Sequence, residues 1–145
     1  VDESLETNID GIFACGNVLH VHDLVDFVSG EAKMAGENAA AYVKGELAAP
    51  GEEIVLSGTD GVRYTVPSKI DLNRMDDRQV VRFRVGQVFR DCYLSVYYND
   101  ERVSRVKKRI MAPGEMEQVI LQKEKLAAFE GLKTITIKVE QGETA

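Results

Sequence analysis

Two histidines, His20 and His22, lie near the start of the chain, with Cys15 and Asp23 close to them in sequence. Imidazole, thiolate and carboxylate groups all bind metals, and a His-x-His pair can chelate one ion. A tetrahedral site needs a third and a fourth ligand at suitable spacing, and the sequence does not identify them. Histidine also titrates near neutral pH, so either ring can act as a proton donor. We expect both histidines to be loop residues, without a metal. A metal-binding regulator built on them is an alternative.

The two cysteines, Cys15 and Cys92, are far apart in sequence and form no CxxC pair. We predict that both are reduced thiols, which indicates a cytoplasmic protein. Cys15 lies inside an apolar run, so we expect it to pack as a small buried hydrophobe.

A strand–glycine–helix junction surrounds these residues. The apolar run predicts a short buried strand over 11–15 that ends at Gly16-Asn17. Asp23 is a good N-cap for a helix over 24–44, which would end at Gly45. An apolar stripe predicts the face that this helix buries; its members are Leu24, Val25, Val28, Ala32, Ala35, Ala39 and Val43.

The pattern changes after a linker at 48–52. Alternating apolar and polar residues predict strands at 62–66, 81–85, 92–98, 102–110, 119–121 and 134–139, with turns between them. Arg82 and Arg84 would lie on the solvent side of their strand. Residues 123–129 predict one small helix or a loop. The sequence therefore predicts a mainly β fold, with an antiparallel immunoglobulin-like sandwich over 53–145.

Charge differs between the two parts of the 145-residue chain, whose net charge is −6. Residues 1–50 hold 9 acidic and 2 basic side chains, and residues 51–145 hold 15 acidic and 16 basic ones. Neither part is basic enough to indicate nucleic acid as a partner. The basic run at 102–109 predicts a solvated edge strand, with docking to an acidic surface as the alternative. No apolar run reaches the roughly 20 residues of a membrane span.

The beginning of the chain resembles a known sequence motif. TNIDGIFACGNV is similar to the second flavin-binding sequence of the pyridine-nucleotide-disulfide and thioredoxin-reductase-like flavoproteins. The matching positions are Thr7, Gly11, Ile12, Phe13, Ala14, Cys15, Gly16 and Val18. The following helix also resembles the helix that packs on the sheet of the FAD domain. More narrowly, the chain resembles a bacterial branch of NAD(P)/FAD-dependent oxidoreductases that carry a β-rich C-terminal extension.

The resemblance implies that residues 1–47 are the last strand and helix of an FAD-binding domain. It places Gly16, Asn17 and Val18 at the FAD ribityl chain, and the backbone of Leu24 and Val25 near the flavin ring. His20 and His22 would then line or flank the flavin, where either could donate a proton. Asn17 stands where the family normally has aspartate, so a charge is absent there. The implied cofactors are FAD and, on a part of the enzyme outside this chain, NAD(P).

The resemblance implies that the chain is a C-terminal fragment of a flavin-dependent oxidoreductase. The full-length enzyme would pass hydride from NAD(P)H to FAD and on to an unknown acceptor, and catalytic residues are not identified here. Because the GxGxxG fingerprint is absent from these residues, we expect the fragment alone to be inactive and not to retain FAD. Expected partners are the rest of its own flavoprotein chain, a second copy or an electron-transfer protein. The alternative is a non-catalytic immunoglobulin-like interaction or dimerisation module.

Overall fold

Eight β-strands account for most of the chain from residue 53 onward in the computed structural model, which describes residues 1–142. The strands are β1 (Glu53–Thr59), β2 (Val62–Val66), β3 (Lys69–Asp71), β4 (Arg78–Val85), β5 (Phe89–Tyr98), β6 (Glu101–Met111), β7 (Glu117–Gln122) and β8 (Thr134–Gln141). Two α-helices are present in the same residues, α1 (Val25–Lys44) and α2 (Lys123–Ala128). The fold is therefore mainly β, as the alternating patterns predicted.

The strands form two sheets. One has five strands in the order β3-β1-β8-β5-β6, and the other has three in the order β2-β4-β7. All neighbouring strands pair antiparallel except β1 and β8, which run parallel. The predicted fold was antiparallel throughout, so this parallel pair is a difference. It places β1 beside β8, which are the first and the last strand of the β-region, residues 53–142.

Both sheets contribute side chains to one hydrophobic core. On β4, Val81, Phe83 and Val85 are completely buried, and Ile135 and Ile137 on β8 are too. Because side chains alternate between the faces of a strand, the polar residues of β4 lie on the opposite face. The predicted alternation in 81–85 and 134–139 is thus confirmed.

The basic strand β6 lies at the edge of the five-stranded sheet, and nearly all of its residues are exposed. This confirms the prediction of a solvated edge strand at 102–109. Charged side chains on an edge discourage pairing with another chain.

The strand predicted over 11–15 is wrong. Within residues 1–142 these residues form only an isolated antiparallel bridge, between Glu6 and Phe13. A strand needs a neighbouring strand to pair with, and among the described residues only Glu6, earlier in the same segment, pairs with this stretch. Residues Gly16–Val18 then form a short 3₁₀ helix.

Helix α1 confirms the predicted helix to within one residue and ends at Gly45, whose φ of 71° is left-handed. The predicted cap is wrong, and the predicted stripe is confirmed only for Val28, Ala35 and Ala39, while Leu24, Val25, Ala32 and Val43 are exposed. The N-cap is Leu24, and no side chain of the described residues caps the helix, because the Asp23 carboxylate binds elsewhere. The face turned toward the protein follows Val28, Glu31 and Ala35, so the helix is rotated relative to the predicted stripe.

Within residues 1–142, no helix has both the length and the hydropathy that a membrane crossing requires.

Candidate functional site

The first 24 residues lie against the three-stranded sheet and against α1. Asp23 accepts hydrogen bonds from the Arg84 guanidinium at 2.7 Å and from the Met116 backbone N–H at 2.8 Å. Arg84 also donates to the carbonyl of Val21 at 2.8 Å. The Arg82 guanidinium lies 5.4 Å from the centre of the Phe27 ring. The face of β4 that carries Arg82 and Arg84 was predicted to be solvated, and it is instead partly covered by Val21, Asp23 and Phe27.

Asp23 thus fastens the segment to the β-region instead of capping α1. Hydrogen bonds from the Met116 N–H and from Arg84 lower the pKa of the Asp23 carboxyl. An ionised carboxylate is the better acceptor for both donors, so this contact is strongest at neutral pH.

Five residues were predicted at a flavin. Gly16 has a φ of 69°, which suits glycine, and its surroundings leave open space where a side chain would begin. The other four, Asn17, Val18, Leu24 and Val25, are exposed. Val18 and Val25 are 84% and 78% exposed. Their surfaces and the uncapped start of α1 are free to contact a further group.

His20 and His22 lie beneath this exposed surface and share one acceptor. The Nε2 atom of His20 is 2.9 Å from Oε1 of Glu31, and that of His22 is 2.9 Å from Oε2. The Gly16 backbone N–H donates to Oε2 at 3.1 Å. One carboxylate in the second turn of α1 thereby holds both rings and the glycine of the predicted flavin motif. We call His20, His22 and Glu31 the His–Glu cluster.

The cluster is formed by two simple periodicities. His20 and His22 are buried while Val21 between them is exposed, as expected for extended chain whose side chains alternate. Glu31 is three residues after Val28 and four before Ala35, so these three share the inward face of α1. All three side chains of the cluster are at most 5% exposed.

Burial and hydrogen bonding set the charges of the cluster. Burial lowers the pKa of His20, although the hydrogen bond to Glu31 opposes this effect. For Glu31, burial raises the pKa, but hydrogen bonds from His20, the Gly16 N–H and His22 outweigh it and leave the pKa below its ordinary value. A Glu31 carboxylate that accepts from a neutral His20 ring is the arrangement these shifts favour at neutral pH.

One ring nitrogen of each histidine has no partner. The Nδ1 atoms of His20 and His22 are both buried, and no hydrogen-bonding group within residues 1–142 reaches them. Buried polar atoms are normally paired, so unpaired ones are frequent at sites with a function beyond packing.

A cleft of about 560 Å³ reaches the cluster. Its walls include His20 and Glu31, Phe27 and Met34 on α1, and Arg82 on β4. Both apolar and charged groups line it, so a small polar molecule or ion can approach the cluster from this side.

No family model, curated protein or solved structure matches this chain significantly. The flavoprotein resemblance therefore rests on its motif residues.

The structure brings together the two histidines and a residue that sequence reasoning missed, Glu31. The sequence contained part of the evidence for Glu31. It lies three residues after Val28 and four before Ala35, and an acidic residue between apolar ones on a helix face is unusual. Cys15 is only half-buried and is a free thiol, as is the buried Cys92. Cys15 was expected to be buried in a strand, and neither the strand nor the full burial is present.

Proposed function

We propose that this chain is the C-terminal part of a bacterial, cytoplasmic NAD(P)/FAD-dependent oxidoreductase. In the full-length enzyme, hydride passes from NAD(P)H to FAD and on to an acceptor. The FAD contacts Gly16, Asn17 and Val18 at its ribityl chain, and the backbone of Leu24 and Val25 near its ring. This assignment follows from the sequence motif, and the exposed helix supports it.

The supporting observation is the uncovered face of α1. Among its 20 residues, all of them described, only Glu31 and Ala35 are buried. Val25 and Val43 are 78% and 84% exposed, and Ala32 lies on the same face. A 20-residue helix with an apolar stripe ordinarily buries that stripe against another element. The sheet of a flavin domain is the cover that the motif implies.

The start of α1 adds a second point. Its first backbone N–H groups lack a capping side chain among the described residues, and Leu24 and Val25 at its positive end are exposed. Such an end favours electron-rich oxygen atoms. A flavin carbonyl is one such group, and Asn17 can donate to or accept from ribityl hydroxyls.

In this proposal the β-region is an immunoglobulin-like C-terminal domain at 53–145. It covers the flavin domain, mediates dimerisation or binds an electron-transfer protein. The exposed basic strand β6 supports a role in contacts, because acidic surfaces would be attracted to it.

The coding sequence that precedes Val1 in the native gene tests the proposal. We expect two GxGxxG sequences, each after a strand and before a helix, one for FAD and one for the nicotinamide nucleotide. A preceding sequence without either would contradict the proposal.

Titration of the 145-residue chain with FAD tests the prediction for the fragment. We expect no stable complex, because the part that grips the FAD pyrophosphate is absent from these residues. A stoichiometric complex that survives gel filtration would contradict this.

A non-catalytic interaction or dimerisation module is the second candidate. The same exposed stripe on α1 favours it, because a second copy of the chain can cover an apolar face. Light scattering together with the preceding coding sequence separates the two candidates. A stable dimer of the 145-residue chain and no upstream GxGxxG would favour the module.

A further inference from the structure

Three metal-binding atoms meet in the His–Glu cluster. The ligand atoms of His20, His22 and Glu31 all lie within 4.8 Å of one another, and all three residues are buried. We propose that the cluster binds a divalent transition-metal ion of the zinc class. This proposal replaces the sequence-based expectation that His20 and His22 flank the flavin without a metal, and it does not depend on the flavin contacts proposed above, which use none of these three side chains.

The ligand set fits zinc chemistry. Two imidazoles and one carboxylate, with a fourth position left to water or another small ligand, form a well-known catalytic zinc set. Imidazole also suits copper, nickel and iron, so the donor types define a class of ion rather than one metal. Calcium and magnesium prefer oxygen ligands, and two imidazoles disfavour them.

The ligand atoms lie close together but must rearrange to share one ion. Ligands about 2.1 Å from a tetrahedral ion lie about 3.4 Å from each other. The three ligand atoms of the cluster lie within 4.8 Å of one another, and the two Nε2 atoms are each 2.9 Å from a different oxygen of Glu31. An ion would replace these two hydrogen bonds, so each of these separations must grow by about half an ångström.

Neighbouring groups form a hydrogen bond to the Glu31 ligand but none to the outer ring nitrogens of the two histidines among the described residues. The Gly16 N–H binds Oε2 of Glu31 and helps to orient the carboxylate. Coordination through Nε2 leaves the ring proton on Nδ1, and neither Nδ1 atom has a partner within residues 1–142. Structural zinc sites bind with about 10 kcal/mol or more, which is a dissociation constant below about 0.1 μM, and absent support of this kind weakens binding by about 10–100-fold; we therefore expect a dissociation constant on the order of micromolar.

The cleft supplies access and a place for the fourth ligand. His20 and Glu31 form part of its wall, as does Arg82. With neutral imidazoles, one carboxylate and a divalent ion, the cluster would carry one positive charge. Arg82 adds another, so an anionic fourth ligand, such as hydroxide or a carboxylate, is favoured over a neutral one.

Equilibrium dialysis of the 145-residue chain against Zn²⁺ at pH 7.5, with metal analysis of the protein, tests the proposal. We expect one Zn²⁺ per chain. Co²⁺ in place of Zn²⁺ should give the intense visible absorption of a tetrahedral nitrogen–oxygen site. Because the histidines must be unprotonated, binding should weaken steeply as the pH falls to about 5.5.

Glu31→Gln keeps the shape of the side chain and removes the anionic ligand, and we expect it to weaken Zn²⁺ binding by about 100-fold. His22→Gln should do the same, which covers the case in which one variant folds poorly. Glu37→Gln is the matched control, because Glu37 is exposed on the same helix and contacts only Lys33 among the ionic partners described; it should bind Zn²⁺ as the parent does.

Two results would overturn the site. One is a folded parent chain that binds no stoichiometric Zn²⁺ at 50 times the expected dissociation constant. The other is binding that Glu31→Gln and His22→Gln leave unchanged. Neither result bears on the flavin proposal, which stands or falls on the GxGxxG sequences and bound flavin.

Discussion

The two sheets enclose their apolar side chains in one core, whereas helix α1 leaves most of its own on the surface. Val81, Phe83 and Val85 are completely buried, while Val25 and Val43 are largely exposed. The inward face of α1 instead carries Glu31, whose carboxylate holds two histidines and a backbone N–H. Apolar burial therefore stabilises the region of residues 53–142, and polar contacts attach residues 1–24 to it, among them Asp23 with Arg84 and Glu3 with the Asp71 N–H. A segment attached in this way is suited to binding a ligand or a further domain.

The largest expected effect on stability comes from truncating a buried side chain of the core. Phe83→Ala removes a fully buried ring and leaves a cavity, which should lower the free energy of unfolding by about 3–5 kcal/mol. Val43→Ala on the exposed face of α1 should change it by less than about 0.5 kcal/mol. Urea denaturation followed by circular dichroism measures both. A loss of several kcal/mol for Val43→Ala would show that Val43 is buried in the 145-residue chain. It would contradict the contrast between the buried core of the sheets and the exposed face of α1.

Removal of the shared acceptor should have the next largest effect. Glu31→Ala leaves two imidazoles and the Gly16 N–H without their acceptor in a buried place, at a cost of about 2–4 kcal/mol. The measurement is urea denaturation in the presence of a chelator, which removes any contribution of bound metal. A change no larger than that of Glu37→Gln would mean that the cluster does not anchor the N-terminal region.

Glu3 provides a pH-dependent test of the attachment. Burial raises its pKa to about 7, even though the Asp71 N–H donates to it at 3.1 Å. Between pH 4.5 and about 7 the folded chain holds a proton that the unfolded chain has released, so stability should fall as the pH rises through this window. Glu3→Gln should remove this dependence and stabilise the chain by about 1–3 kcal/mol at pH 8, because it removes the cost of ionising a buried carboxyl.

Thermal melts of the parent and Glu3→Gln at pH 4.5 and pH 8 measure the difference. The exposed Glu52→Gln is the control, and it should follow the parent at both pH values. If the parent and Glu3→Gln differ equally at pH 4.5 and pH 8, the effect does not come from Glu3 ionisation.

The smallest effect is expected at the ion pair between the segment and the β-region. Asp23→Asn should lower stability at pH 7 by no more than about 1 kcal/mol, because the pair is partly exposed. The pKa of Asp23 is lowered, so its contribution is present at neutral pH and is lost as the pH falls below 3.8. The difference in unfolding free energy between parent and variant should therefore be smaller at pH 3 than at pH 7. An equal difference at both pH values would assign the effect to something other than the charge.

Much of the β-region could be predicted from the sequence because alternation reports directly on burial. The turn at Asp60-Gly61, with φ of 47° and 104°, also follows from residue types that tolerate such angles. Strands β1 and β3 were missed as separate elements. β1 contains Ser57 and Gly58, which weaken its pattern, and β3 has only three residues.

The N-terminal region was predicted less well because its structure depends on distant contacts. Asp23 has the residue type of a cap, but Arg84 lies 61 positions away and binds its carboxylate instead. Glu31 lies 11 positions from His20, and only the packing of the loop against α1 brings them together. Local periodicity contains no information on such pairs.

The flavin content of the full-length protein, purified from its native gene, tests the central claim most directly. We predict about one FAD per chain. Asn17→Asp, which restores the aspartate typical of the resembling family, should slow FAD dissociation, whereas Asn17→Ala should speed it. A full-length protein that folds and carries no flavin, with FAD binding neither gained on reconstitution nor changed at Asn17, would contradict the claim.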